Sequence, residues 1–539
     1  MHSKHIVLRA ISATSLAAAA LGSAFAATLS VGPGKAFSAP CAAIAAARDG
    51  DTIDIAGNTT YSGDACSINR NNLTIRGVNG RPKIDAAGKN AADKGIWVVN
   101  GNNLTVDNVE MVGAKVMDAN GAALRLQGTN FTLRHAFIHD NENGILANAN
   151  ADSDILIEYS EFGHNGGGTG QTHNLYIGKV KSLTFRYSYS HDANVGHNLK
   201  SRAMTNTIVY NRFSSTNPGE KGSTAPGQPS YEIDLPNAGT SYVIGNIIQQ
   251  PAANQNPTIV AYGEEGATNP GHDLYFVNNT VVNDFAGGTF LFVSGKVSTP
   301  ALIQNNIFVG DGTLCSQAAA VRKNNYRAFA TDIVDRSTGS LRRFASALVI
   351  GAGTDPGKSA SGVSLAPTGQ YKDVASGEER PKAGTLDLGA HEVPRAAASA
   401  KAVTWTECAA EGKVCSFRGT HEVRFGTRDV YTSKIVTAST HCTVAAFGDP
   451  AHGRAKTCSY ADVPAVAAAA RPHTAAASAW TPCAGEGAVC QLSGTNRVRY
   501  GTETQNVTKV LTGPVTCSND TFGDPAHGFL KTCSFRAGR

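Results

Sequence analysis

Two short runs 24 positions apart carry the densest chemistry in the chain: Thr172-His-Asn-Leu-Tyr-Ile177 and Gly196-His-Asn-Leu-Lys-Ser-Arg202. They align His173 with His197, Asn174 with Asn198 and Tyr176 with Lys200. Read as strands, they turn Leu175, Ile177 and Leu199 inward and present Asn174, Tyr176, Asn198, Lys200 and Arg202 on one outer face. A third run, Ser230-Tyr-Glu-Ile-Asp-Leu235, aligns Asp234 with Lys200 and Glu232 with Asn198 when Val209 is matched to Val243. Ile259-Val-Ala-Tyr-Gly-Glu-Glu265 then brings Tyr262 near the same row with Glu264 at its end, and Arg125 in Ala123-Leu-Arg-Leu126 extends the row the other way.

Such a face is equipped for proton transfer beside a negatively charged group. Arg202 or a cation neutralises a carboxylate, a base of tuned pKa removes a proton, and an acid protonates what leaves. Lys200 is the expected base, with the neighbouring Arg202 charge lowering its pKa. Tyr176, His197 and His173 are the candidates for the second proton. Asn174, Asn198, Arg125, Tyr262 and Glu264 are the expected substrate contacts. Glu232 and Asp234, with Asn198, offer oxygen ligands of the kind Ca²⁺ takes. Simple pairing of those two carboxylates with Lys200 and Arg202 is equally economical.

These runs belong to a longer pattern. Leu73-Thr-Ile-Arg76, Leu104-Thr-Val-Asp107, Phe131-Thr-Leu-Arg134, Ile155-Leu-Ile-Glu158, Leu183-Thr-Phe-Arg186, Thr207-Ile-Val-Tyr210, Tyr242-Val-Ile-Gly245, Leu274-Tyr-Phe-Val277 and Ala301-Leu-Ile-Gln304 recur at intervals such as 27 and 24 residues, separated by Asn/Gly/Asp turns. Alternation inside each run marks a half-buried strand, and repetition at this period marks a solenoid. Stacked parallel strands with Asn-rich turns predict an all-β fold, a right-handed parallel β-helix over residues 27–395. Asn278-Asn279 and Asn305-Asn306 suit left-handed turn positions that stack between coils. The segment Cys41–Arg48 reads as a short helix plugging the first coil, with Cys41 bonded to Cys66.

Residues 1–26 read as a secretory signal peptide: Lys4 and Arg9, an apolar stretch, then the small-residue site Ala24-Phe25-Ala26. No later run approaches the ~20 apolar residues of a membrane span. Without Lys4 and Arg9, 45 basic residues face 42 acidic ones. With no basic block, neither nucleic acid nor an anionic membrane is expected as partner, and a secreted monomer is. Eight of the eleven cysteines lie after residue 400, and Cys315 is left over as an expected buried thiol.

Those eight belong to a duplication. Cys408, Cys415, Cys442 and Cys458 recur 75 positions later as Cys483, Cys490, Cys517 and Cys533, and Phe447-Gly-Asp-Pro-Ala-His-Gly453 recurs whole. The copies, 403–461 and 478–536, follow Ala-rich stretches that read as linkers. Units this small need disulfides, two per copy, and pairing of adjacent cysteines is the simplest of the three connectivities. Trp405, Trp480, Phe425 and Tyr500 either fill the small cores or bind a ligand, with core filling favoured for Phe425 and Tyr500.

Gly32-Pro-Gly-Lys-Ala-Phe37, the Ala-rich helix, Gly50-Asp-Thr-Ile-Asp-Ile55 and Leu73-Thr-Ile-Arg-Gly77 resemble the opening of secreted right-handed β-helix proteins of the pectate-lyase-like group, which includes polysaccharide lyases and mannuronan epimerases. The Cys-rich units resemble accessory modules of secreted carbohydrate-active enzymes, which implies attachment to glycan or cell wall. The resemblance implies a polysaccharide partner and, as the leading activity, β-elimination of a uronate polymer. A glycoside hydrolase using Glu232, Asp234 and Glu264, and a non-catalytic glycan-binding protein, are the alternatives. No Asp-Pro-His-Asp stretch of the epimerase kind is present.

Overall fold

The computed structural model describes residues 26–215, 229–328, 349–381, 384–393, 404–427, 430–462, 480–492, 494–501, 506–525 and 531–537. The expected signal peptide, apart from Ala26, and both Ala-rich linkers lie outside these residues.

The coils form three parallel sheets of 12, 11 and 10 strands. Each turn of the chain contributes one strand to each, as in 131–134, 137–139 and 143–147. The result is a right-handed parallel β-helix, the hand that parallel crossover connections take. The nine runs read from the sequence all lie on the first sheet. Their inward residues stack as one column through the coils: Ile53, Ile75, Val106, Leu133, Ile157, Phe185, Ile208, Val243, Phe276 and Ile303. Every one is fully buried, so each coil covers its neighbour's apolar face.

Turns hold the register. Asn278, Asn305 and Asn324 take the left-handed conformation with φ of 52°, 59° and 53°, a region Asn tolerates because its short amide bonds locally. Beside them Asn211, Asn246, Asn279, Asn306 and Asn325 form a ladder in which each side-chain N–H donates to the next amide oxygen at 2.9–3.1 Å. The helix Pro40–Ala46 packs Ala43 and Ile44 into the first coil, and Cys41 is bonded to Cys66.

Among the described residues the last strand stacked on the coils is Tyr326–Ala328. Residues 349–381 and 384–393 add no coil but run along the corner between the first two sheets. Asn278, Asn305 and Asn324 donate to the carbonyls of Asp387, Thr354 and Ala352 there.

The described residues fall into two compact units, one reaching residue 462 and one starting at 480. The first Cys-rich module is an antiparallel sheet inside the first unit, with bonds Cys408–Cys415 and Cys442–Cys458. The second is a unit by itself, with Cys483–Cys490 and Cys517–Cys533. Phe425 and Tyr500 are fully buried in the two small cores. Cys315 is a buried free thiol.

Candidate functional site

The third sheet places Arg125, Leu146, Tyr176, Lys200, Asp234 and Ala261 in one outward row. Tyr176, Lys200 and Asp234 are therefore successive neighbours, about 5 Å apart. Arg125 shares the row, but Leu146 intervenes and its guanidinium is spent on Asn120 and Asn148 at 3.2 and 3.0 Å.

Around Lys200 the charges interlock. Its ammonium lies 2.9 Å from Asp234 Oδ2 and 2.7 Å from Glu265 Oε1. Arg202 holds the other oxygen of Glu265 at 2.6 Å, donates through Nε to the Tyr176 hydroxyl at 2.8 Å and donates to Asn237 at 2.7 Å. Glu265 is thus gripped through both oxygens by two cations two residues apart. It sits in the turn Gly263–Gly266, closed by Gly266 N–H donating to Gly263 O at 3.2 Å, with Gly263 at φ 78°. A Cβ on Gly263 would meet Val297 at 2.8 Å, so glycine lets this turn lie close to the next coil.

Asp234 is completely buried, and His197 Nε2 stands 3.1 Å from its Oδ2. Burial alone would raise this carboxyl, but His197 and Lys200 outweigh it and hold Asp234 below its usual range. Burial likewise opposes the Lys200 charge, and Asp234 and Glu265 overcome it, so Lys200 is raised. This corrects the expected lowering by Arg202, because the two carboxylates dominate over the like charge. Glu264 is raised, first by burial and then by the Asp234 charge, and accepts from the Tyr231 hydroxyl at 2.9 Å. His173 is held well below its usual value by burial and by His197, Lys200 and Arg202. Its Nδ1 accepts from the His197 backbone N–H at 3.1 Å, so the neutral ring carries its proton on Nε2.

Three expected surface residues lie inside instead. Asn174, Asn198 and Glu232 are completely buried. At this corner two successive residues turn into the core in neighbouring coils, as Ala123-Leu124, Ile259-Val260 and Phe290-Leu291 show by sharing its apolar cluster. Strict alternation therefore fails one residue before Leu199. Asn174 donates to Asn198 at 2.9 Å, and Asn198 donates to Glu232 Oε2 at 2.5 Å, ending a ladder that starts at Asn141 and passes through Asn165. Burial drives Glu232 up to about 8, against the opposing Asn198 bond. Tyr262 also points inward, one register step from the expected row; Ala261 takes that place, and the Tyr262 hydroxyl donates to Gly239 O at 2.6 Å.

The expected Ca²⁺ site is changed by this. Glu232 is unavailable, and the carboxylates that do converge are Asp234, Glu264 and Glu265, with oxygens within 4.8 Å of one another. They do not fit a cation as arranged, because the Lys200 ammonium already lies between Asp234 and Glu265. A second group, His164, His191 and Asp192, has His191 donating to Asp192 at 2.8 Å and Glu161 at 3.2 Å. Burial opposes that imidazole's charge and the two carboxylates outweigh it, so His191 is raised from its ordinary value and the group is held together by its own pairing.

Glu265, Asn237 and Tyr231 were not legible as site residues. Each lies at a loop or strand end, where the strand period no longer fixes direction, and only the adjacency of Glu264 and Glu265 hinted at them. A groove of about 580 Å³ on the first sheet, lined by Asp154, Ser182 and Arg186 among others, offers less chemistry. Its charges are satisfied locally by the Arg134–Glu158–Arg186 and Lys181–Asp154 pairs.

No known protein family matches the chain, and no curated protein resembles it in sequence. Among solved structures it is similar to pectate lyase Pel9A, with 17% identity and a TM-score of 0.45 over 66% of this chain and 90% of that one. A pectin methylesterase from Aspergillus niger matches with 11% identity and a TM-score of 0.26 over 59% of this chain and 88% of that one. The β-helix stands on the strand registers themselves.

Proposed function

We propose that this is a secreted protein that binds an acidic polysaccharide at the Tyr176–Lys200–Arg202 face and cleaves it by β-elimination. The observation that carries the reading is the grip on Glu265. Lys200 and Arg202 form a preassembled fork for one carboxylate, and the carboxylate that fills it is half-exposed and belongs to a surface turn. A uronate carboxylate presents the same two oxygens, and a bidentate cationic fork recognises that shape. Five disulfides suit an oxidising compartment.

With the uronate in the fork in place of Glu265, the two cations draw charge from its carboxylate and acidify the C5 proton. The C5–H electron pair becomes the C4–C5 double bond, and O4 departs with the C4–O4 pair and takes up a proton. Tyr176 is the proton carrier: as phenolate it takes the C5 proton, and the phenol so formed gives a proton to O4, while the Arg202 Nε–H donates to the same oxygen and steadies its charge whenever the proton is away. Lys200 acts as a cation, since Asp234 and whichever carboxylate fills the fork keep it charged. Asp234, with no exposed surface, orients Lys200 and His197.

The test is incubation with polygalacturonate, alginate and neutral dextran, following the absorbance of unsaturated ends and, separately, new reducing ends. Unsaturated product from a polyuronate supports the reading, and Tyr176→Phe should then remove about 10²-fold or more of the turnover. Reducing ends without unsaturation point to hydrolysis. Binding with neither product leaves a non-catalytic glycan-binding face.

A further inference from the structure

The two Cys-rich modules use one equivalent sheet face differently. In the first module Glu422 and Ser433 of that face are buried. The Tyr326 hydroxyl of the last coil lies 3.0 Å from Ser433 Oγ and accepts from Ser433 N–H at 3.1 Å, and Ser433 Oγ donates to Glu422 at 2.6 Å. That module therefore docks on the end of the solenoid through this face.

In the second module, 75 positions on, Arg497 replaces Glu422, Thr508 replaces Ser433 and Arg536 replaces Ala461. Arg497 and Thr508 are exposed. Arg497 and Arg536 are direct cross-strand partners, and Arg499 lies two residues from Arg497 on the same side of its strand. Like charges placed opposite each other on a sheet are destabilising. Among the described residues no carboxylate pairs with any of the three. Two of them share an aromatic face: Arg499 lies 5.1 Å and Arg536 4.6 Å from the Trp480 ring. The disulfide-bonded core of this module is filled by Val498, Tyr500 and Phe522, so neither Trp480 nor the arginines are needed there.

We propose that this face of the second module is a binding site for an acidic polysaccharide chain. The three guanidiniums take the carboxylates, whose planar oxygens match their donors. Trp480 supplies the flat apolar surface against which a sugar ring packs. The site is distinct from the Lys200–Arg202 face and does not depend on turnover there.

The experiment uses the full chain and measures retention on immobilised polygalacturonate over a salt series, with dextran as the neutral control. Replacing both Arg497 and Arg536 by Ala is expected to weaken retention about tenfold or more and to flatten its salt dependence. Trp480→Ala should weaken it comparably, and Arg497→Lys with Arg536→Lys, which keeps the charge, should restore part of it. Turnover of a short soluble oligouronate should stay unchanged in all of them. Retention by the alanine variants equal to the parent overturns the proposal, as does equal retention on dextran. Binding of duplex DNA as tight as polygalacturonate, indifferent to Trp480→Ala, also overturns it and marks a general polyanion face. If no polyuronate is cleaved but the arginine-dependent retention is seen, the catalytic reading fails while this one stands.

Discussion

Asn198 and Lys200 are two positions apart on one strand, yet one belongs to the core and the other to the surface cluster. Asn198 makes only neutral or fixed bonds: it accepts from Asn174 and the Ala193 N–H, and donates to Glu232 and Ser215. Lys200 meets two carboxylates, one buried and one half-exposed. The inner set has no route to a ligand and spends its polarity on holding coils in register. The outer set ends on Glu265, which solvent or a ligand can replace. Polarity alone does not mark function in a solenoid. What separates the two sets is whether the last partner in the chain of contacts is replaceable.

The comparison breaks first if Asn198 tolerates change. Asn198→Leu should strand the amide of Asn174 and the carboxyl of Glu232 in a dry corner, costing about 3–5 kcal/mol of stability. Urea unfolding measures it, and a loss below ~1 kcal/mol would mean that water repairs the ladder. Arg202→Ala works on the other side of the contrast. It should lower turnover on a confirmed polyuronate by ~10²–10³-fold, the scale for losing a positioned cation. Its midpoint in urea should hardly move, because the guanidinium's partners are all near the surface. Equal losses of stability in both variants would erase the distinction.

Much of this was written in the sequence. The 24-residue offset set Tyr176 beside Lys200, and matching Val209 to Val243 set Asp234 beside Lys200, as the strand registers have them, although Val243 itself stacks on Ile208. The duplication, by its repeated cysteines, likewise announced two bonds per module. The corner was not legible, because a residue-by-residue alternation cannot show where the backbone bends enough to turn two side chains inward. Ala123, Ile259 and Phe290 at the positions equivalent to Asn198 carried the missing signal, since three apolar residues do not belong on an outer face. Tyr262 was displaced by a single register step, enough to send a side chain to the opposite face. Glu265 escaped because a loop residue's direction depends on turn closure by Gly263 and Gly266, which strand periodicity does not encode.

Titration sharpens the contrast. Glu232 is held up to about 8 by burial, against 4.5 for an ordinary glutamate. Between these two values the unfolded chain has lost this proton and the folded protein keeps it. The group's contribution to stability is therefore fully present below pH 4.5, declines as pH rises and is lost above about 8. Glu232→Gln should remove that decline, making the protein ~2–4 kcal/mol more stable than the parent near pH 9. At pH 4 the two should unfold alike. Parallel stability-versus-pH curves would show that Glu232 is already ionised in the fold.

The smallest expected effect tests the role of Lys200 itself. If Lys200 is a base, replacing it by Arg, which stays protonated, should abolish turnover as fully as Ala does. If it is a cation of the carboxylate fork, Lys200→Arg keeps the charge and the reach to Asp234 and Glu265, and turnover should fall only by about fivefold or less. Lys200→Ala needs a control, because it leaves fully buried Asp234 with His197 as its remaining partner, and breaking one side of a buried pair costs about 3–5 kcal/mol. Adding Asp234→Asn to Lys200→Ala should recover stability without recovering turnover, which separates the folding debt from the catalytic loss. Chelation belongs to the same question, since the ammonium already occupies the gap between the carboxylates. EDTA at constant ionic strength should leave turnover unchanged, whereas a loss reversed by Ca²⁺ would mean that Lys200 swings out to admit a metal and that the fork is not the resting arrangement during catalysis.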